Sequence, residues 1–185
     1  MKTKKKFNSG GEFNIFEQED GSLLKIPRFE KVWDILYGGK GRFRKKVKSD
    51  LDFLLEHFSD YLPETKIIEL NNGWGIQQKR IQGKPFFANR RMTTYAQKFF
   101  EQAKKVRNKT NKSPDFFGIL EVFTFFKRSG NLLIEEKTDK LFLVDICVLR
   151  SDKLWPLGNF ISKVGSLMQW NSLFFLTSKQ SKRVR

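Results

Sequence analysis

The sequence predicts an α+β protein, with a small antiparallel sheet and one helix first and mainly helices afterwards. Three observations predict this class: strand-length apolar segments joined by turn residues before residue 82, an amphipathic segment between them, and helical periodicity from residue 93. We expect a basic tail at 1–8, a sheet region with one helix at 9–82, a reduced helical region at 83–178 and a second basic tail at 179–185.

The composition is that of a folded and strongly basic protein. Its 185 residues suffice for one domain or two small lobes, and 39% of them are hydrophobic, with 20 Phe. Lys and Arg number 36 against 20 acidic residues, which gives a formal charge of +16 and favours an acidic partner such as a nucleotide, nucleic acid or an anionic membrane surface. One Cys and one His exclude an internal disulfide framework and a Cys/His zinc site.

Neither end of the chain predicts a membrane span. The basic start MKTKKK is followed by polar residues, so we expect no signal peptide and a cytoplasmic location. Residues 154–176 are rich in apolar residues but include Asn159, Lys163 and Gln169, which favours a core helix over a spanning one. A membrane-surface helix followed by the basic C-terminal tail is the alternative for this segment.

The first sheet elements are predicted at Glu12–Glu17 and Ser22–Ile26, a hairpin that turns at Gly21. Lys25 stands among apolar neighbours in the second of these strands. Burying an unpaired ammonium group is costly, so Lys25 is a candidate functional residue. Gly10 and Gly11 directly precede the first strand.

An amphipathic helix is predicted next, from Arg42 to Tyr61, and Pro63 ends it. Its apolar residues recur at spacings of three and four: Phe43, Val47, Leu51, Leu54, Leu55 and Phe58. A second hairpin follows, with strands at Thr65–Leu70 and Trp74–Ile81 around the turn Asn71-Asn72-Gly73.

Beyond a linker at 78–86 the chain becomes helical. Residues Thr93–Arg107 carry an apolar face of Tyr95, Phe99, Phe100, Ala103 and Val106. A polar break at 108–114 precedes a further helix, which we expect to begin at Pro114-Asp115 and to extend to Phe126.

Two short apolar segments after this helix, at 132–134 and 141–144, predict another hairpin with its turn at 135–140. Asn131 lies just before the first strand and Asp145 just after the second. Because antiparallel strands bring these ends together, the two side chains should be neighbours. An amide oxygen and a carboxylate are the hard ligands that Mg²⁺ prefers, so Asn131 and Asp145 are candidate metal ligands.

The order of these motifs resembles the protein-kinase-like superfamily, in particular the small bacterial kinase-like and aminoglycoside-phosphotransferase-type proteins. The matching segments are S-L-L-K-I at 22–26, G-N-L-L-I at 130–134 and L-V-D-I-C at 143–147. The resemblance covers roughly residues 9–150 and implies a two-lobe fold, with a small antiparallel-sheet N-lobe and a truncated helical C-lobe.

The resemblance implies ATP and Mg²⁺ as cofactors and a role for each matching position. Gly10 and Gly11 would approach the nucleotide phosphates, and Lys25 would pair with them. Either Asp52, the better match, or Glu56 would pair with Lys25. The backbone at Lys79, Arg80 and Ile81 would contact the adenine edge, and Asn131 and Asp145 would hold the metal.

One departure concerns the catalytic base. The family places an Asp five residues before the Asn, but this chain has Phe126 there, and we expect Asp115 and Glu121 not to reach the site. The resemblance therefore implies either a minimal phosphotransferase, acting on a protein or small molecule, or a pseudokinase. The alternative function, favoured by the charge and the aromatic content, is nucleic-acid binding without phosphotransfer.

Overall fold

The computed structural model describes residues 5–9, 12–86, 93–116 and 130–150. Their mixture of helices and antiparallel strands confirms the α+β class. In chain order the elements are β1 Lys5–Ser9, β2 Phe13–Glu17, β3 Leu23–Pro27, α1 Glu30–Leu36, α2 Arg42–Phe58 with a 3₁₀ turn at Ser59–Tyr61, β4 Thr65–Leu70, β5 Gly73–Gln78, β6 Gly83–Pro85, α3 Thr94–Thr110, β7 Lys112–Pro114, β8 Leu132–Glu135, β9 Leu141–Leu143 and β10 Val148–Arg150.

The first five strands form one antiparallel sheet in the order β1-β2-β3-β5-β4. Both predicted hairpins within it are confirmed, and the second turns at Asn71-Asn72 into Gly73, whose φ of +131° is accessible to glycine and not to other residues. In the register, Lys25 of β3 lies between Ile15 of β2 and Ile76 of β5. This lysine is therefore at the centre of the sheet.

The N-terminal segment differs from its prediction. We expected a basic tail over residues 1–8, but Lys5–Ser9 forms the edge strand β1, which pairs with β2. The pairing has an irregularity between Lys6 and Asn8. Such a short, Lys-rich strand lacks an alternating apolar pattern and is formed by its hydrogen bonds to β2. Lys25 is consequently on the third strand and not on the second.

Helix α2 packs its apolar face into the core, as its periodicity predicts. Phe43, Val47, Leu54 and Phe58 are fully or almost fully buried. Leu55 is an exception, since it is 45% exposed at the border of the apolar face. The helix begins where the Asp34 carboxylate accepts hydrogen bonds from the backbone N–H groups of Gly41 and Phe43, at 2.8 and 2.9 Å, which compensates for the lack of a capping side chain at Gly41 itself.

Helix α3 is longer than predicted and extends to Thr110. Thr93 caps its start by accepting a hydrogen bond from the N–H of Ala96, and Asn111 ends it in the left-handed conformation. Its buried residues are Ala96, Phe99, Phe100 and Ala103, whereas Tyr95, which we expected on the apolar face, is exposed. The predicted polar break at 108–114 is instead the last turn of α3 followed by β7.

The remaining strands form two small sheets, β6-β8-β9 and β7-β10. The predicted hairpin at 132–144 is confirmed, with Leu132 opposite Leu143 and Ile134 opposite Leu141. Residues 79–82 connect the five-stranded sheet to β6, which pairs with β8. At Gly83 the contact is so close that an added Cβ would lie 2.5 Å from the Ile134 carbonyl oxygen, so glycine is required there.

None of the helices in the described part of the chain is long and apolar enough to cross a membrane. Several predicted features lie outside the described residues: Gly10 and Gly11, the helix expected after Pro114 up to Phe126, and the apolar segment at 154–176.

The aromatic core around Phe99 gives a test of the fold. The Phe99 ring contacts the rings of four aromatic residues: Phe58, Tyr61, Phe100 and Phe116. We expect Phe99→Ala to lower the free energy of unfolding by about 3–5 kcal/mol, because it leaves a cavity where α3 meets α2. Urea denaturation measures this loss. Tyr95→Ala, on the exposed side of the same helix, is the control, and an equal loss in both variants would contradict the packing described.

Candidate functional site

The candidate site lies where the five-stranded sheet meets the β8–β9 hairpin. Lys25 is only 6% exposed, and its Nζ donates a hydrogen bond to the backbone carbonyl of Val144 at 2.5 Å. The two residues are 119 positions apart in the chain. Burial lowers the pKa of Lys25, while the negative charge of Asp145 acts in the opposite direction. The structure therefore brings the predicted strand lysine to the residue that directly precedes Asp145.

The hairpin brings Asn131 and Asp145 to the same end, as predicted. The Val144 N–H donates to the Asn131 carbonyl at 2.9 Å, which closes the hairpin next to Asp145. Asn131 is buried, and its amide Nδ2 donates to the backbone carbonyl of Asp115 at 3.0 Å. Asp145 Oδ1 accepts the N–H of Ile146 at 2.9 Å. Each of the two side chains is thus held through one of its polar atoms, Asn131 through Nδ2 and Asp145 through Oδ1.

Asn131 and Asp145 fit a magnesium ion of the kind that is bound together with a nucleotide phosphate. Asn131 Oδ1 and Asp145 Oδ2 accept no hydrogen bond from the described residues, so both hard oxygen atoms remain for a cation. In the described part of the chain no three His, Cys, Asp or Glu side chains are grouped to hold a metal. A site with so few protein ligands suits Mg²⁺, which usually keeps several waters and takes further ligands from a substrate phosphate.

The backbone of Asp115 is hydrogen-bonded to Asn131 and Cys147, beside the candidate site, and our expectation that its carboxylate does not reach the site stays a prediction. Asp115 directly follows β7, is buried, and its N–H donates to the Cys147 carbonyl at 2.9 Å. Its own carbonyl accepts the Asn131 amide. The reason is the antiparallel pairing of β7 with β10, which carries Asp115 to the chain segment just after Asp145. Sequence periodicity contains no information about a pairing between three-residue strands.

The two carboxylates proposed as partners of Lys25 are not placed beside it. Asp52 and Glu56 are exposed on α2, and Glu56 lies 3.6 Å from the ring nitrogen of His57. Lys25 has no carboxylate within salt-bridge distance among the described residues. The buried carboxylate of this helix is Asp50, whose burial its helical position indicates, since it lies two turns after Phe43 and one turn after Val47 on the same face.

Asp50 is fully buried and is surrounded by donors. Its Oδ2 accepts hydrogen bonds from Lys46 Nζ at 2.5 Å and from the Val148 N–H at 3.1 Å, and Arg150 lies 3.5 Å from its Oδ1. Burial has the largest single effect on the pKa of Lys46 and lowers it, but the nearby acidic groups, Asp50 foremost, together outweigh burial and hold that pKa well above the usual value. Asp50 therefore joins α2 to β10 through an ion pair and a backbone hydrogen bond.

Glu12 is a further acidic group near the site that the sequence did not suggest. It follows Gly11 directly, at the turn between β1 and β2. Burial raises its pKa from 4.5 to about 7; Lys46 opposes the shift, and Asp145, Asp50 and Asp115 add to it. Cys147 is nearby, and burial raises the pKa of its thiol well above the usual value.

The predicted adenine contacts, Lys79 to Ile81, lie in the connection between the sheets. The Lys79 N–H donates to the Glu64 carbonyl at 2.8 Å, and Arg80 pairs with Glu17 at 2.5 Å. Lys79 and Arg80 also line an open polar cavity of about 380 Å³. Its other lining residues are Asp20, Gly21, Ser22, Glu64, Lys66 and Gln77, so this cavity does not include Lys25 or Asp145.

Comparison with known proteins gives no family for this chain. No protein-family model matches it, and no curated protein sequence is similar to it. The function is therefore inferred from the arrangement of Lys25, Asn131, Asp145 and Asp115.

The raised pKa of Glu12 predicts a pH dependence of stability. The folded protein holds this proton more tightly than the unfolded chain, so ionisation removes stability as the pH rises from about 4.5 to about 7. Glu12→Gln keeps the site neutral. As the pH rises from about 5 to about 8, we expect the free energy of unfolding of Glu12→Gln to increase by roughly 1–3 kcal/mol relative to that of the wild type.

Urea unfolding at those two pH values measures the gain. Glu101→Gln, which replaces an exposed carboxylate of α3, is the matched control and should leave the pH dependence unchanged. A parallel pH dependence in Glu12→Gln and the wild type would contradict the environment described for Glu12.

Proposed function

We propose that the chain is a minimal kinase-like protein that binds ATP with Mg²⁺ where the five-stranded sheet meets the β8–β9 hairpin. One observation carries this proposal: the buried Lys25 reaches across to the carbonyl of Val144, next to Asp145. A cation and a metal-binding carboxylate are thus held close together. Nucleotide phosphates require both groups, because a lysine and a metal ion share their negative charge.

The order of elements supports the two-lobe form of this proposal. Helix α2 follows β3, which carries Lys25, and β4 and β5 complete the sheet. The connection at 79–82 then leads to β6, α3 and the hairpin with Asn131 and Asp145. This is the order implied by the resemblance to the kinase-like superfamily. The extra strand β1 is consistent with it, since Gly10 and Gly11 come between the first two strands in the sequence.

Each group has a distinct task in the proposed complex. Lys25 pairs with phosphate oxygens, and Asn131 and Asp145 are the protein ligands of Mg²⁺, which would neutralise charge on the phosphates. Backbone N–H groups at Gly10 and Gly11 would approach the phosphates, as the resemblance implies. The backbone from Lys79 to Ile81 binds the adenine edge.

We further propose Asp115 as the group that accepts the proton from the acceptor hydroxyl. It is the carboxylate that follows β7 directly, and its backbone is held by Asn131 and Cys147. Asn131 lies 16 residues after it, a much longer separation than in the resembled family. This assignment replaces the missing carboxylate at Phe126 and favours a phosphotransferase over a pseudokinase. The acceptor is a protein or a small molecule with a hydroxyl group.

Asp145→Asn tests the nucleotide site. At a ligand concentration about 100 times the Kd, binding stabilises a protein by about 2.7 kcal/mol, and we expect the wild type to show such a stabilisation with ATP only when Mg²⁺ is present. The variant should lose most of it, because the amide cannot supply the negative charge that binds the metal. Thermal unfolding with ATP, with and without Mg²⁺, measures both effects.

Asp52→Asn is the matched control, since Asp52 is an exposed aspartate of α2. It should retain the full stabilisation by ATP and Mg²⁺. If millimolar ATP does not stabilise the wild type at all, the proposed nucleotide site is wrong.

Asp115→Asn tests the proposed base. Loss of a positioned general base typically lowers kcat by about 10²–10⁴-fold, so release of phosphate from ATP should fall by that factor. Stabilisation by ATP and Mg²⁺ should persist, because Asp115 is not needed as a metal ligand. Unchanged turnover in the variant would contradict the assignment. A wild type that binds ATP without any turnover would favour the pseudokinase alternative.

Nucleic-acid binding remains the second candidate, because of the charge of +16. It predicts a steep loss of affinity with salt and no requirement for Mg²⁺ or Asp145. Titration of a labelled single strand at rising salt, with the wild type and Asp145→Asn, separates it from nucleotide binding.

A further inference from the structure

A second surface of the molecule combines exposed apolar side chains with basic ones. Phe29, Val32 and Ile35 are 63%, 54% and 76% exposed. In the described part of the chain only two other large apolar or aromatic residues are exposed, Leu55 and Tyr95. The exposed apolar area is therefore concentrated at α1, and we call this region the α1 surface. It comprises Arg28 to Lys48.

The geometry of α1 explains why these side chains point outward. Trp33 and Tyr37 occupy its inner face, where their rings stack on Phe43 of α2. At about 100° per residue, Lys31, Val32 and Ile35 lie together on the opposite face. No residue of α1 is buried. The helix thus presents a small convex apolar strip next to a lysine.

Phe29 extends this strip at the start of α1. Its backbone is in the left-handed conformation, with φ 56° and ψ 40°, which is rare and costly for a phenylalanine. Burial of the ring does not offset this strain, because most of the Phe29 side chain is exposed. The Arg28 guanidinium lies over the Phe29 ring, 4.7 Å from the ring centre. A strained and exposed aromatic side chain beside a cation suggests a contact with something outside the chain.

The charges of the α1 surface are strongly one-sided. Between Arg28 and Lys48 there are eight Lys or Arg and two acidic residues. Both acidic side chains bond inward: Glu30 accepts the indole N–H of Trp74 at 2.7 Å, and Asp34 caps α2. Two of the basic residues are also paired within the molecule, Arg44 with Glu69 and Lys46 with Asp50.

Five of the other six basic residues face solvent. Lys31, Lys40, Arg42, Lys45 and Lys48 are exposed, and none of them has a carboxylate within salt-bridge distance among the described residues. Arg42, Lys45 and Lys48 are spaced by three along α2, so they form one row on the face opposite its buried residues.

We propose that the α1 surface binds a bilayer that contains anionic phospholipids. The row of cations matches the negative charge of the headgroups, and Phe29, Val32 and Ile35 enter the boundary between headgroups and acyl chains. The aliphatic side chains favour a bilayer over nucleic acid, whose phosphates and bases offer no comparable apolar environment. The strip is convex and small, so a deformable lipid surface accommodates it without a matching groove. This inference does not depend on the proposed nucleotide site.

Sedimentation with vesicles tests the proposal on the full chain. Vesicles of phosphatidylcholine alone are compared with vesicles that also contain phosphatidylglycerol. The wild type should bind only the anionic vesicles. A single Lys or Arg near the surface contributes about fivefold to membrane affinity, so the double variant Lys31→Gln/Arg42→Gln should weaken binding by more than tenfold.

The apolar side chains are tested separately. Phe29→Asn removes the ring but keeps a residue that tolerates the left-handed conformation, and Ile35→Ser removes the most exposed aliphatic side chain. Each should weaken vesicle binding at least severalfold without a change in net charge. The matched controls are Leu55→Ser for the apolar changes and Lys104→Gln/Lys105→Gln, on the exposed side of α3, for the charges.

The outcomes separate the proposal from its alternatives. Full binding by the controls together with loss in the α1 variants supports it. No binding of the wild type to anionic vesicles overturns it. Equal losses in the control and α1 charge variants also overturn it, because they would indicate attraction by overall charge. If Phe29→Asn and Ile35→Ser bind like the wild type, the apolar strip has no part in membrane binding and the proposal fails.

Discussion

The structure depends most on the placement of one charged group, the ammonium of Lys25, in the middle of a sheet. Burial removes this group from water, and that cost is tolerable only if strong acceptors replace the lost hydration. The acceptor is not in the sheet at all. It is the carbonyl of Val144, supplied by a hairpin that follows more than a hundred residues later. The sheet and the hairpin therefore stabilise each other's conformation through a bond that neither could make alone.

A second buried charge, Asp50, complements the first. Lys46, Arg150 and the Val148 N–H all lie around its carboxylate, so its negative charge is balanced and hydrogen-bonded. The bonds to Val144 and Val148 lie on either side of Asp145. The conformation of the segment that carries Asp145 is thus set from two elements at once, β3 and α2. In the proposed complex, such preorganisation would reduce the reorganisation needed for charged phosphates and a cation to bind.

Local sequence patterns were sufficient for much of the fold. The hairpins at 65–78 and 132–143 follow from turn residues between apolar segments, and α2 follows from the spacing of Phe43, Val47 and Leu54. The same logic assigned Leu55 and Tyr95 to the core, and both are exposed, because a periodic pattern does not fix the width of the buried face. The burial of Lys25 could be predicted because its immediate neighbours in the strand are apolar.

What could not be predicted depends on contacts between distant segments. The backbone of Asp115 lies beside Asn131 and Cys147 because β7 pairs with β10, and these strands are too short to show any pattern of their own. The partner of Lys25 was sought among the carboxylates of α2, as the resemblance suggested, but the structure supplies a backbone carbonyl. A main-chain acceptor has no side-chain identity, so no residue type in the sequence indicates it.

The link between α2 and β10 has a mechanical consequence. One side of α2 holds Val148 and Arg150 through Asp50, and the other side carries the solvent-facing row of cations. Because an α-helix moves as one body, the outer row of cations and the Asp50 bonds to β10 belong to one mechanical element. The chain segment that follows Asp145 is therefore attached to an element whose opposite side faces solvent.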